Sequence, residues 1–276
     1  MYKLGAFYCQ IYAGIREEGF CDIAKAFSEI KKYGVEGVDF NQTEIDSGTP
    51  SLLSGADMFA ASVHCATPLD FRTDKLYCES VAMMKEAADK AVYIKSPYFM
   101  AVPTRHKDFE ESEMPAFTEA VRSAVKELCA YANTRPITIC VEDYSTPEHP
   151  YATYEDIDAL LNANPDLGFT FDSGNFPLAG INELDAVERY RERTVYVHMK
   201  DLKIVDEPTN ILRRGKYYDS LEIGGGFVEN RRVLKRLHDS GFTEGVITIE
   251  VNSEHDRFLR TVKSAEWMKE VLREIK

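Results

Sequence analysis

The sequence predicts an α/β fold, a single (β/α)8 TIM barrel that occupies residues 1–276 as one domain. Short β-branched runs alternate with longer helical patterns about eight times, which is typical of a parallel sheet covered by helices. The 276 residues suffice for one complete barrel, which needs ~250. Four strands also end in polar side chains, and the carboxyl ends of barrel strands surround one shared mouth. Together these features favour a closed barrel over an open sheet.

The predicted strands are short, and the predicted helices between them are longer. The strands cover residues 3–8, 37–40, 60–65, 92–95, 137–142, 168–172, 195–198 and 246–250. The helices cover residues 22–33, 75–90, 116–133, 154–162, 183–191, 231–240 and 257–274. No Pro/Gly/Ser-rich linker interrupts this series, so we expect no domain boundary within it.

Composition and charge exclude several classes of function. The net charge of −13 opposes extended contact with nucleic acid, because binding to phosphate backbones depends on clustered Lys and Arg. The six cysteines contain no CxxC pair, which argues against a zinc ribbon or a disulfide framework. The chain begins as a strand without a signal-peptide pattern, and no apolar run reaches the ~20 residues that cross a bilayer. We therefore expect a soluble cytoplasmic protein.

The later strands place a metal-binding side chain at the end of their inward face. Side chains alternate across a strand, and in 137–142 the aliphatic residues share one face while the other face ends in Glu142. The same alternation places Asp172, His198 and Glu250 at the ends of the next three strands. Because these strand ends surround one mouth, the four side chains should converge on one point.

A long loop is predicted over residues 201–229, above the barrel mouth. The interval from His198 to Glu250 is about twice the length of one strand-and-helix repeat, so the surplus must lie in this segment. We interpret it as a substrate lid. The triplet at 224–226 could present backbone N–H groups to a phosphate, although three glycines more often provide a flexible hinge.

Six short motifs lie in order along the chain: Val38-Asp39-Phe40, Ser62-Val63-His64, Ile139-Cys140-Val141-Glu142-Asp143, Phe171-Asp172-Ser173-Gly174-Asn175-Phe176, Val197-His198-Met199-Lys200-Asp201 and Ile249-Glu250-Val251. With these motifs the chain resembles the xylose isomerase-like TIM barrels, the superfamily of sugar and sugar-phosphate isomerases and epimerases that includes the ketose 3-epimerases. The resemblance implies that Glu142, Asp172, His198 and Glu250 bind one divalent metal. It also implies that Glu142 and Glu250 act as an acid/base pair.

The chemistry of the four side chains agrees with that implication. Three carboxylates and one imidazole suit Mn²⁺ best, and Mg²⁺, Co²⁺ or Zn²⁺ are alternatives. The metal would act as a Lewis acid on a sugar-like substrate and stabilise an enediolate, while Glu142 and Glu250 transfer the proton. Any one of the carboxylates alone would more often be a surface group, but their matching strand positions favour a joint metal site.

Four further residues are candidates for substrate binding. His64 ends the inward face of the third strand, although a structural hydrogen bond explains it equally well. Asn175 could meet substrate hydroxyls or only cap a turn. Lys200 could bind a sugar oxygen, a carboxylate or a phosphate, or form an ion pair. Glu148 lies six residues after Glu142, a spacing at which some ketose epimerases carry a substrate-binding Glu.

Other functions remain open at this level. An endonuclease of the same fold needs more histidine ligands than this chain offers near Asp172 and His198, and its charge opposes DNA binding. A metal-dependent lyase that dehydrates a keto-inositol or related polyol would use the same metal and glutamates. A non-catalytic sugar-binding protein is the alternative from another class. The expected partner is a small sugar-like molecule, and a homo-oligomer is compatible with the family.

Overall fold

Eight parallel strands close into a barrel, which confirms the predicted fold. The computed structural model describes residues 2–146, 150–209 and 211–275. The barrel order is β10-β1-β2-β3-β4-β5-β6-β7, closed by pairing between β7 and β10. Within the described ranges the strands are β1 (Tyr2–Phe7), β2 (Val35–Asn41), β3 (Phe59–Leu69), β4 (Tyr98–Arg105), β5 (Thr138–Glu142), β6 (Gly168–Asp172), β7 (Thr194–Val205), β8 (Ile211–Arg213), β9 (Lys216–Leu221) and β10 (Gly245–Glu250).

The α-helices surround the barrel. They are α1 (Tyr8–Glu17), α2 (Ile23–Lys31), α3 (Thr49–Ala56), α4 (Asp74–Tyr93), α5 (Met114–Ala132), α6 (Tyr154–Ala163), α7 (Asn175–Ala179), α8 (Glu183–Tyr190), α9 (Asn230–Asp239) and α10 (Arg257–Ile275). Among the described residues, none of these helices is long and apolar enough to cross a membrane.

Several helices begin at a side chain that satisfies a free backbone N–H group. Asp22 accepts from the N–H of Lys25 at the start of α2, and Thr73 accepts from the N–H of Leu76 at the start of α4. At the start of α8, Asn182 accepts from the N–H groups of Leu184 and Asp185. Such caps stabilise a helix by ~1 kcal/mol each, because the first N–H groups have no partner within the helix.

The alternation along the strands divides the barrel interior from the outer core. On β6, Phe169 and Phe171 are buried and face the helices, where their rings lie 4.9 Å from Tyr190 and 5.2 Å from Phe176 between centroids. Thr170 and Asp172 therefore face inward, and both are fully buried. This arrangement directs the polar end of each late strand into the mouth.

The prediction was wrong for the fourth strand. Val92 and Tyr93 end α4 instead, and Ile94 and Lys95 form the turn after it, where Lys95 adopts a left-handed backbone conformation with φ of 59°. The fourth strand of the barrel is β4, in which an apolar run is followed by Pro103 and Arg105. The β-branched residues before it misled the prediction, because burial of the helix outweighs their weak preference for strands. Three helices, α1, α3 and α7, were not predicted.

The segment predicted as a long loop contains regular structure. β7 continues past the barrel to Val205 and pairs antiparallel with β9, which in turn pairs with β8. This three-stranded sheet extends β7 on the mouth side of the barrel. It packs through Leu202 and Tyr218 against Leu178 and Val228, so an apolar cluster of its own holds it in place.

Candidate metal centre

The carboxyl ends of β5, β6 and β10, and the point at which β7 leaves the barrel, bring four candidate ligands together. Donor atoms of Glu142, Asp172, His198 and Glu250 all lie within 4.8 Å of one another. Asp172 and His198 are paired residues of β6 and β7 and are fully buried. Glu142 and Glu250 flank them and retain 15% and 11% side-chain exposure. The structure thus places the four predicted ligands at one point that is open to the mouth.

The two nitrogens of His198 face different carboxylates. Nδ1 contacts Glu142 Oε1 and lies 3.4 Å from Glu250 Oε2. Nε2 lies 3.0 Å from Asp39 Oδ2. Burial opposes a charged imidazole, but Glu142 and Asp39 outweigh it and raise the pKa of His198 well above its usual value.

Asp172 is held by the backbone on one oxygen and by a lysine on the other. Its Oδ1 accepts from the N–H groups of Gly174 at 2.7 Å and Asn175 at 3.1 Å. Its Oδ2 lies 2.8 Å from the Nζ of Lys200. Burial raises the pKa of Asp172, and the lysine works in the opposite direction. Oδ2 is therefore the oxygen that Asp172 can offer to a cation.

Lys200 lies inside the centre and is almost fully buried. Its Nζ is 2.8 Å from Glu250 Oε1 as well as from Asp172, and it donates to Asn175 Oδ1 at 2.9 Å. The Asn175 amide donates in turn to the carbonyl of Asp143. Asn175 and Lys200 are thus part of the polar network around the candidate ligands.

His64 is connected to the candidate ligand His198 through the carboxylate of Asp39. Its Nδ1 lies 3.2 Å from Asp39 Oδ1, and 19% of its side chain remains exposed. The predicted structural hydrogen bond is therefore present. The fourth predicted substrate-binding residue, Glu148, lies outside the described residues.

Sequence reasoning missed three polar residues of the centre. Asp39 contacts both His198 and His64. Asp143 accepts from the N–H of Asp172 at 2.9 Å, and Asn252 donates to Glu250 Oε1 at 2.7 Å. Asp39 lies in the motif Val38-Asp39-Phe40 and, on β2, two residues after inward Gly37; this alternation is a signal that could have found it.

The donor set fits a divalent cation. Among the described residues, five carboxylates meet in this small volume, those of Asp39, Glu142, Asp143, Asp172 and Glu250. One lysine and two imidazoles, those of His198 and His64, face them. Buried carboxylates are costly unless cations and hydrogen bonds compensate them. A divalent ion among the oxygens and Nδ1 of His198 would offset this excess, and these donor types match its preferences.

The glycine triplet does not offer a phosphate site. The N–H groups of Gly224 and Gly226 donate to Asp201 Oδ2 at 2.8 and 3.0 Å, and the N–H of Val228 donates to Oδ1 of the same residue at 3.1 Å. The close approach requires glycine, since a Cβ on Gly226 would meet Asp201 Oδ1 at 2.2 Å. The buried Asp201 carboxylate already takes the place of an anion there.

The family model described as "Xylose isomerase-like TIM barrel" matches residues 27–271 of the chain. The chain belongs to this family. The resemblance stated from the motifs is thereby confirmed. No curated protein matches the sequence significantly.

Solved structures extend the comparison over the whole chain. The chain is similar to an IOLI protein crystallised with zinc (15% identity, 99% of each chain, TM-score 0.74) and to a D-tagatose 3-epimerase-like protein (18%, 99% of this chain and 98% of that one, 0.74). It is also similar to AsbF from Bacillus anthracis, described as a probable 3-DHS dehydratase (13%, 97% and 98%, 0.72). At these identities the likeness shows the fold.

Proposed function

We propose that this chain is a divalent-metal-dependent isomerase or epimerase of a small sugar or sugar-like substrate. The observation that carries the proposal is the convergence of Glu142, Asp172, His198 and Glu250 within 4.8 Å at the barrel mouth. Family membership and the epimerase-like structural neighbour support the same chemistry.

One metal ion would be held by these four residues. Mn²⁺ is the first choice, because three carboxylates and one imidazole form a mostly oxygen donor set, and Mg²⁺, Co²⁺ or Zn²⁺ are alternatives. When bound, the ion would supply Lewis acidity to the carbonyl and neighbouring hydroxyl of the substrate.

The proton transfer itself falls to Glu142 and Glu250. They come from β5 and β10, on either side of β6 and β7, and both keep some exposure to the mouth. One carboxylate would remove the proton next to the carbonyl, and the other would deliver a proton to the product. Lys200 and Asn252 hold Oε1 of Glu250 and so fix the direction of its second oxygen.

Three described residues are proposed as substrate contacts. Lys200 lies among the candidate ligands, Asn175 contacts Lys200, and His64 contacts Asp39 beside them. All three carry hydrogen-bonding groups suited to hydroxyl and carbonyl oxygens. Glu148 is proposed on its sequence position alone. A substrate held between these groups and the two glutamates would have its reacting carbon near both proton-transfer groups.

The test combines metal content with proton exchange. The purified protein is analysed by plasma mass spectrometry, and a panel of ketoses and ketose phosphates is incubated with it in D₂O and followed by NMR. We expect one metal per chain and deuterium uptake at a carbon next to the carbonyl. Chelation should stop the uptake, and Mn²⁺ should restore it. A protein that takes up no divalent metal would disprove the proposal.

A metal-dependent lyase acting on a keto-inositol or related polyol is the second candidate. The structural neighbour described as a probable 3-DHS dehydratase supports it. Buried Lys200, 2.8 Å from Glu250 Oε1, could stabilise negative charge on a substrate oxygen in either reaction. In the same assay, loss of water with a new ultraviolet absorbance would identify this reaction. Metal binding without exchange or dehydration would instead favour a non-catalytic sugar-binding protein.

A further inference from the structure

Asp39 lies on β2, two strands away from the nearest candidate ligand around the barrel, yet its carboxylate is the centre of a hydrogen-bond network. Oδ2 lies 3.0 Å from His198 Nε2 and accepts from the Tyr196 hydroxyl at 3.0 Å. Oδ1 lies 3.2 Å from His64 Nδ1. Asp39, Tyr196 and His198 are all fully buried.

A carboxylate without any solvent contact is retained only when donors compensate its desolvation. Three donors from β3 and β7 do so here. The network therefore places a hydrogen-bond acceptor behind the ring of His198.

The consequence concerns which nitrogen of His198 faces the centre. With Nε2–H held by Asp39, the ring presents Nδ1 to Glu142 and Glu250. The Phe7 ring, 5.0 Å away between centroids, packs on the same imidazole and limits its rotation. A metal-binding histidine commonly donates its other N–H to a carboxylate, which fixes the tautomer and makes the ligand more basic.

We infer that Asp39 is a positioning residue for the metal centre. It fixes His198 with Nδ1 available to a cation and ties the ring of His64 to the same carboxylate. This inference rests on the proposed metal-dependent function, because the ring needs orienting only if Nδ1 binds an ion. It adds a fifth strand of the barrel to the centre, on the side opposite the ligands.

The experiment uses Co²⁺ as the probe and two substitutions that leave different numbers of hydrogen-bond acceptors at position 39. Asp39→Ala removes both acceptor oxygens, whereas Asp39→Asn keeps one neutral acceptor. We expect Co²⁺ affinity, measured by isothermal titration calorimetry, to fall ~10–100-fold in Asp39→Ala and less in Asp39→Asn. Thr170→Val, a buried inward-facing change on β6 that leaves Asp39 untouched, is the matched control and should bind like wild type.

A spectroscopic signal separates positioning from a general loss of stability. In Co²⁺-loaded wild-type protein, proton NMR should show one strongly shifted, slowly exchanging signal from the Nε2–H of His198. The signal should exchange faster in Asp39→Asn and disappear in Asp39→Ala. If Asp39→Ala does not fold, the wild-type exchange rate and Asp39→Asn still decide the question.

The outcomes distinguish the two proposals. Bound Co²⁺ with unchanged affinity in both Asp39 variants, or a rapidly exchanging His198 signal in wild type, overturns the role of Asp39 alone. A wild-type protein that binds no Co²⁺ overturns the proposed metal-dependent function and this inference with it.

Discussion

The two halves of the barrel mouth differ in chemistry. The ligand half, formed by the ends of β5, β6 and β10 and by the point at which β7 leaves the barrel, carries Glu142, Asp172, His198 and Glu250. The opposite half, formed by the ends of β1, β2, β3 and β4, carries Phe7, His64 and the buried Asp39 near the same point. One half carries four candidate ligands, and the other offers an aromatic ring, an imidazole and the buried carboxylate of Asp39. This difference suggests that the ligand half would hold the cation, while the opposite half supports His198 through Asp39.

The largest expected effect tests the proton-transfer role of the ligand half. Glu142→Gln and Glu250→Gln should each lower turnover ~10²–10⁴-fold, because an amide can neither accept nor deliver the proton. Initial rates of deuterium exchange on the best substrate of the panel measure the change. Glu44→Gln in the opposite half, whose side chain accepts from the N–H of Asn41, is the control. Near-normal turnover in both ligand-half variants would remove the acid/base assignment.

The second prediction compares the two histidines. His198→Ala should weaken Mn²⁺ binding by more than ~100-fold, since it removes a ligand and not only an outer partner. His64→Ala should leave the dissociation constant close to wild type, because its Nδ1 reaches Asp39 and not the candidate ligands. Calorimetric titration of both proteins checks this. Equal losses in the two variants would mean that the halves do not divide their roles.

The sequence predicts the ligand half better than the opposite half. On β6, local alternation of Phe169, Thr170, Phe171 and Asp172 was sufficient to give the bounds and the inward face of the strand. On the opposite half, β4 was misplaced because its predecessor helix ends in β-branched residues. The role of Asp39 depends on His198, 159 residues later in the chain. Alternation is local, whereas such a contact exists only after the barrel closes.

The third prediction concerns Lys200, which contacts two of the candidate ligands in the ligand half. Lys200 forms an ion pair with Oδ2 of Asp172, whereas backbone N–H groups donate to Oδ1. As a result, the ammonium of Lys200 and a metal ion would compete for Oδ2. Lys200→Met should therefore tighten Mn²⁺ binding about tenfold, which is ~1.4 kcal/mol of relieved repulsion. The same variant should melt at a lower temperature without metal, because Asp172 and Glu250 lose their counter-charge.

Lys203→Met is the matched control for that comparison. Lys203 lies on the same strand, is 48% exposed, and faces Asp219 at 3.5 Å. Its removal should change neither Mn²⁺ affinity nor the melting temperature appreciably. If Lys200→Met instead binds Mn²⁺ more weakly than wild type, then Lys200 organises the ligands and does not compete with the cation.

The smallest expected effect is the release of a proton when metal binds. In the metal-free protein the pKa of His198 is raised by Glu142 and Asp39 against the effect of burial, so the ring is protonated below that raised value. A metal needs the free electron pair of Nδ1, so binding should release about one proton per chain at neutral pH. Affinity should accordingly rise about tenfold per pH unit until the raised pKa is passed, and then level off. Titrations in buffers of different ionisation enthalpy measure the released proton, and its absence would show that His198 is neutral before the metal arrives.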